Sequence, residues 1–224
     1  MIGKSGSVIP AINQENGARP MKLIGMLDSP YVRRVAVSFH LQNIVFEHQP
    51  LSVFSAFDTF FAINPVVKAP TLVTDDGTVL MDSGLILELG ERLAAFDLKL
   101  TPAGFDAHVR AQRIIGLALA ASEKTVQIVY EHNLRPTERQ HQPWLDRVQL
   151  QVVAAYRLLE DEVRQADPWL FGDRPVQADI TSAVAFRFSR EMLPDVIIAE
   201  AHPALAALSS RAEATEAFGA FPFS

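Results

Sequence analysis

Apolar positions along the chain recur with two different periods. In the first part, short apolar runs alternate with a helical stripe. Lys22 to Leu27 reads as a strand stopped by Asp28-Ser29-Pro30. From Tyr31 to Leu41, Val32, Val35, Ala36 and Phe39 fall on one face at helical spacing. Val45 to Gln49 is a second strand, and Phe54 to Ala62 a short helix broken by Asn64-Pro65. Pro70 to Thr74 and Thr78 to Met81 are strands joined by the hairpin signal Asp75-Asp76-Gly77. Asp82 and Ser83 offer the N-cap of a helix running to about Ala95.

The order β-α-β-α-β-β-α has the size of a thioredoxin-like α/β domain. A helix between the first two strands implies a parallel pair, and the tight turn implies an antiparallel one. After a linker near Phe96 to Gly104 the character changes, and only helical periodicity remains. The predicted helices are Phe105 to Asn133, Glu138 to Ala166, Ala178 to Met192 and Pro203 to Ala212. The fold expected is therefore an α/β N-terminal thioredoxin-like domain, residues 21–96, followed by an all-α C-terminal domain, residues 105–224. A cleft between two such domains is a natural ligand site. Met1 to Pro20 mixes Gly, Ser, Asn and Pro and reads as a flexible extension, with a second start at Met21.

Composition narrows the function. Of 224 residues, 49% are hydrophobic and 21% charged, with a net charge of −6, which suits a folded, soluble chain. No basic stripe points to nucleic acid, and the acidic balance disfavours anionic membranes. Ile114 to Ala121, the best apolar run, is too short to span a bilayer. The first residues lack a signal-peptide pattern, so a cytoplasmic location is expected. There is no cysteine. Disulfides, zinc–thiolate sites and a protein cysteine nucleophile are excluded, and any thiol must arrive with a ligand. The six histidines show no metal-ligand spacing, so no metal is expected. No phosphate-binding glycine loop or nucleophile elbow is present.

Three points carry candidate chemistry. Ser29 stands at the start of a helix, where free N–H groups and the helix dipole favour an anion such as a thiolate. A hydroxyl donating to sulfur lowers the thiol pKa further. Ser followed by Pro is also an ordinary way to begin a helix. Ala69-Pro70 enters the third strand; a cis bond there would turn the Ala69 backbone toward an extended ligand, whereas a trans bond makes Pro70 a turn proline. Asp82 and Ser83 could take the ammonium and carboxylate of an amino-acid end, or simply cap their helix. In a thioredoxin-like sheet all three points lie on one edge, where together they could read a small thiol peptide.

At these residues the chain resembles the glutathione transferase family. The matching stretches are Lys22-Leu23-Ile24-Gly25 leading into Ser29-Pro30-Tyr31-Val32-Arg33-Arg34-Val35, then Asn64-Pro65-Val66-Val67-Lys68-Ala69-Pro70-Thr71-Leu72, then Leu80-Met81-Asp82-Ser83-Gly84. Leu170-Phe171-Gly172-Asp173-Arg174-Pro175 with Ala178-Asp179-Ile180 resembles the signature of the helical domain. The likeness runs from about Met21 to the C-terminus, and its serine-proline start is similar to the serine-dependent classes and many bacterial members.

The resemblance implies a glutathione S-transferase with glutathione as co-substrate, a small electrophile and a homodimer. Ser29 would donate to the glutathione sulfur. Ala69, before a cis Pro70, would pair with the cysteinyl backbone, Asp82 and Ser83 would hold the γ-glutamyl end, and Lys68 would reach the glycyl carboxylate. The electrophile site would lie on the Phe105 to Asn133 helix, with Ala118, Ser122 and Tyr130. Three departures stand out. Val67 replaces a frequent glycine, Asp82 is one methylene shorter than the usual Glu or Gln, and Val176 stands where a Ser or Thr usually completes the capping box with Asp179.

The remaining signals read as structural. Arg33 and Arg34 are expected in ordinary ion pairs, Phe54, Phe57, Phe60 and Phe61 in packing, and Trp144 and Trp169 in the core or an interface. Two other functions share the scaffold: a non-catalytic binding or regulatory protein, and a glutathione-dependent peroxidase or isomerase.

Overall fold

The computed structural model describes residues 20–224. The extension read from residues 1–20 lies, except for Pro20, outside the described residues. Four short strands, β1 (Met21–Ile24), β2 (Phe46–Gln49), β3 (Thr71–Val73) and β4 (Val79–Met81), form one sheet in the order β2-β1-β3-β4. β1 runs parallel to β2, with Met21 opposite Phe46, and antiparallel to β3, with Leu23 opposite Leu72. β3 and β4 close the hairpin, with Leu72 opposite Leu80. The parallel pair and the antiparallel hairpin both match the expectation drawn from connection length.

Three helices complete this half: α1 (Pro30–Leu41), α2 (Phe57–Ile63) and α3 (Ser83–Leu93). Leu23, Val32, Val35, Phe39, Leu72 and Ile86 share one core. α1 and α3 approach closely at Gly90, where a Cβ would lie 2.8 Å from the Phe39 ring and 2.8 Å from Gln42 Oε1. β3 begins at Thr71 rather than Pro70 because proline has no N–H for the ladder. α2 begins at Phe57 rather than Phe54 because Ser52 Oγ accepts the N–H groups of Phe54 and Ser55, which holds a local turn there.

The rest is helical: α4 (Phe105–Leu134), α5 (Gln142–Val163), α6 (Gln177–Met192), α7 (Pro203–Glu213) and α8 (Glu216–Ala220). The chain is thus a thioredoxin-like α/β domain followed by an all-α domain. The predicted helix starting at Glu138 divides. Thr137–Arg139 is a separate 3-10 turn, and α5 starts anew at Gln142 with Pro143 in its first turn, where a proline costs no hydrogen bond. Five-residue α8 is too short to leave a periodic signal.

α1 is buried on both sides, and Val37 reaches the core of the helical domain. Arg33 and Arg34 are 1% and 3% exposed; Arg33 makes the expected ion pair, though a buried one, and Arg34 makes none among the described residues. Arg33 grips Glu213 of α7 with two hydrogen bonds of 2.6 Å and donates to the Phe221 carbonyl at 2.8 Å. Arg34 donates to Ser83 Oγ of α3 at 3.0 Å and to Thr181 Oγ1 of α6 at 3.2 Å. Of the four clustered phenylalanines only Phe60 is buried; Phe54, Phe57 and Phe61 are about half exposed, and Phe57 stacks on Phe61. Trp169 is buried and Trp144 is not.

Asp179 compensates for the missing cap at Val176. Valine has no side-chain acceptor, but the Asp179 carboxylate takes the Val176 N–H at 3.0 Å and the Leu170 N–H at 2.9 Å. It therefore joins the start of α6 to the loop before it. Asp179→Ala leaves both donors unpaired and is expected to lower the unfolding free energy by about 2–4 kcal/mol, as measured by urea denaturation. Burial pushes this carboxyl up to about 6. The folded state therefore holds its proton where the unfolded chain has released it, so Asp179 favours folding below about pH 4 and that contribution is lost as pH rises to about 6. Denaturation curves across this window should show the wild-type slope flattened in Asp179→Asn.

Candidate active site

Ser29 is the N-cap of α1, with extended backbone and Pro30 as the first helical residue. Its Oγ accepts the Val32 N–H at 3.4 Å, and its own hydrogen has no acceptor among the described residues. Just before it, Gly25 has φ +139, and a Cβ there would stand 2.5 Å from Val32 Cγ2. Only glycine lets the end of β1 lie this close to the first turn of α1, which sets where Ser29 emerges.

The second point is the loop into β3. Asn64 is buried and organises it, donating to Thr71 Oγ1 at 2.8 Å and accepting the Val66 N–H at 3.0 Å. Val67, in the place of a frequent glycine, adopts φ +49, a conformation rarely taken by a β-branched residue. The Ala69–Pro70 peptide is cis.

The third point is the start of α3. Asp82 has φ +77 and accepts the Gly84 N–H at 2.9 Å. Its other oxygen lies 3.7 Å from Lys68 Nζ, an exposed pair. Ser83, behind it, is buried and accepts from Arg34. Strained non-glycine backbone at two positions of one cleft is the pattern of a functional site.

Two adjoining cavities bring these points together. One, about 600 Å³, is lined by Ser29, Tyr31, Lys68 and Ala69 on one wall, and by Val126, Val129, Tyr130 and Asn133 of α4 with Phe188 and Met192 of α6 on the other. The second, about 540 Å³, is lined by Lys68, Ala69, Pro70, Asp82 and Ser83 facing Gly116, Leu119, Ala120 and Glu123. Tyr31, Lys68 and Ala69 border both. Burial and the nearby Glu123 carboxylate push the Tyr31 phenol up to about 12, so it remains a hydrogen-bond donor. Asp28 borders the larger cavity, and partial burial raises its carboxyl above the ordinary range. Phe54 meets Tyr130 edge-on, with ring centroids 5.6 Å apart, at the rim.

Ser29, Lys68, Ala69, Pro70, Asp82, Ser83 and Tyr130 thus share the cleft. Ala118 and Ser122 do not: at 0% and 2% exposure they lie in the interior of the helical domain. The reason is helical phase. Ile114, Ala118, Ala121, Thr125 and Ile128 form the buried stripe of α4. Gly116, Leu119, Glu123, Val126, Tyr130 and Asn133 form a second stripe at the same spacing, which faces the cleft. The sequence carried this second stripe, but two stripes of equal period differ only in phase. Phe188 and Met192, from a helix distant in sequence, left no signal. Among the described residues no cluster of His, Asp or Glu is placed to hold a metal ion, and no helix is long and apolar enough to cross a membrane.

Comparison with known proteins agrees with this geometry. Residues 23–95 match the family model for the glutathione S-transferase N-terminal domain, and residues 142–211 match that for its C-terminal domain. The chain belongs to the glutathione S-transferase family. A glutathione S-transferase from Methylobacterium radiotolerans, solved in complex with glutathione sulfonate, is 25% identical, with TM-score 0.83 over 91% of this chain and 95% of that one. A glutathione transferase family member from Pseudomonas fluorescens Pf-5, with bound glutathione, is 27% identical, with TM-score 0.77 over 90% and 98%. The uncharacterized GST-like protein YibF of Escherichia coli K12 is 28% identical over 140 residues, 62% of this chain and 68% of that one.

In this glutathione S-transferase fold, the wall formed by Val126, Phe188 and Met192 makes the larger cavity predominantly apolar. Val126→Trp projects an indole into that space. It is expected to weaken binding of 1-anilinonaphthalene-8-sulfonate, a dye with an apolar aromatic body and an anionic sulfonate, about tenfold, roughly 1.4 kcal/mol, in a fluorescence titration, with no change in the far-ultraviolet circular dichroism.

Proposed function

We propose that this chain is a glutathione transferase that adds the glutathione thiolate to small, largely apolar electrophiles. Residues 21–96 would serve as the glutathione-binding domain and 105–224 as the substrate domain. The observation that carries the reading is the Ser29 hydroxyl: at the N-terminus of α1, with its hydrogen uncommitted, it borders a cavity that continues past Ala69 to Asp82 and Ser83. The family comparisons support the same assignment.

In this reading glutathione lies along the edge of the sheet. Its γ-glutamyl end meets Asp82 and Ser83, its cysteinyl backbone pairs with Ala69 beside Pro70, and its glycyl carboxylate is within reach of Lys68. The sulfur then sits at Ser29. The thiol loses its proton to solvent, and the Ser29 O–H donates to the resulting thiolate. A free thiol ionises near about 8.5, and a shift of about two units corresponds to about 2.7 kcal/mol. A helix terminus and one charge-assisted hydrogen bond supply that order of energy. The sulfur lone pair then forms a bond to an electrophilic carbon held by Val126, Val129, Tyr130, Phe188 and Met192. The displaced electron pair leaves with a leaving group or takes a proton. A cytoplasmic homodimer acting in detoxification is the setting this reading implies.

The test is an ultraviolet titration of the thiolate of bound glutathione, with Ser29→Ala alongside. The bound thiol is expected to ionise about two units below its free value. Ser29→Ala should lose most of that shift and lower kcat about 10–100-fold, with glutathione affinity changed by less than about threefold. Binding without a shift would leave a glutathione-binding protein. No binding at all would direct the search to a protein partner.

A further inference from the structure

The buried guanidinium of Arg34 plays no part in the chemistry above, and its charge is poorly accounted for. It is 3% exposed, yet its two hydrogen-bond partners, Ser83 Oγ and Thr181 Oγ1, are neutral hydroxyls. Among the described residues it forms no ion pair within 4.0 Å, whereas the neighbouring Arg33 has Glu213. A buried charge without an ion-pair partner is costly: burial pulls Arg34 down to about 10, and the Asp82 carboxylate, beyond ion-pair distance, offsets this only in part.

Its two partners differ. Thr181 passes its own hydrogen to the Gln177 carbonyl at 2.7 Å, inside α6. Ser83 accepts from Arg34, and its own hydrogen has no acceptor among the described residues. Ser83 also borders the 540 Å³ cavity, next to Asp82 and Lys68. A hydroxyl that accepts from a cation becomes a stronger donor, so the charge of Arg34 is presented to the cavity through Ser83. Arg34 itself borders a separate cavity of about 410 Å³, whose lining holds Glu88 and Glu91 and no lysine; an anion is less favoured there than in the 540 Å³ cavity, where Lys68 stands beside Ser83.

We propose that Arg34 is a positioning residue for the α-carboxylate of a γ-glutamyl ligand: it polarises the Ser83 hydroxyl toward that carboxylate, and the bound carboxylate supplies its missing counter-charge. The proposal rests on the glutathione reading and deepens it. Asp82 and the Arg34–Ser83 pair set a negative group beside a cation-backed donor, matching the ammonium and carboxylate of an α-amino acid. Thr181 belongs to α6, so the same guanidinium joins the ligand's amino-acid end to the helical domain.

The test compares two peptides by calorimetry: glutathione, and γ-aminobutyryl-cysteinylglycine, which lacks only the α-carboxylate. Wild type is expected to prefer glutathione by about 10–100-fold, the range of a charge-assisted hydrogen bond. Arg34→Met should shrink this preference to within about threefold by weakening glutathione alone, leaving affinity for the truncated peptide unchanged. Arg34→Lys keeps the charge but cannot span Ser83 and Thr181 together. It should lose about threefold of the preference, and lose none when Ser83→Ala is already present; this pair decides the matter should Arg34→Met not fold. Parallel losses for both peptides, or an undiminished preference in the Arg34 variants, would overturn the proposal. A wild type that binds both peptides equally would overturn this inference and leave the glutathione reading standing, whereas one that binds neither would overturn both, and each failure is visible without any variant.

Discussion

Two adjacent arginines buried on one helix must find oxygen, and meeting that need ties the structure together. Arg33 and Arg34 are consecutive, so they project from α1 about 100° apart and cannot be satisfied by one neighbour. Arg33 is met by Glu213 and the Phe221 carbonyl, near the C-terminus. Arg34 is met by Ser83 of α3 and Thr181 of α6. The α/β domain and the helical domain are therefore joined by directional bonds as well as by apolar packing. The geometry of the cleft between them follows, because α1 also begins with Ser29.

The electrostatics of the cleft come largely from backbone. Ser29 and Asp82–Ser83 stand at the starts of α1 and α3, where unpaired N–H groups accumulate. Lys68 is shared with Asp82, and the remaining wall, from α4 and α6, is mostly apolar. Polar recognition on one side and an apolar wall on the other suit a ligand with a peptide part and a hydrophobic part. The two cavities meet at Tyr31, Lys68 and Ala69, where those parts would join.

Asp179 shows how a local rule fails without harm. A capping box needs an acceptor at the N-cap, and Val176 has none. The buried carboxylate instead holds two backbone N–H groups from separate places. The contact with Leu170 spans nine residues and involves a loop, so no local sequence pattern announces it.

The sequence by itself determined the types of the longer elements, the change from α/β to all-α, and Ser29, Ala69 and Asp82–Ser83 as the points of interest. All of these follow from local causes: apolar periodicity, turn residues, N-cap chemistry and the missing cysteine. Only the tertiary structure decided the rest. It decided which stripe of α4 faces the cleft, because two stripes of identical spacing differ only in phase, and placing Ala118 and Ser122 required knowing where α6 lies. It exposed Phe54, Phe57 and Phe61 while burying Phe60, since apolar identity does not state which face will be covered. And it buried Arg34 between two domains with hydroxyl partners in place of an ion pair, a fact about three residues separated by 49 and 147 positions that no local pattern encodes.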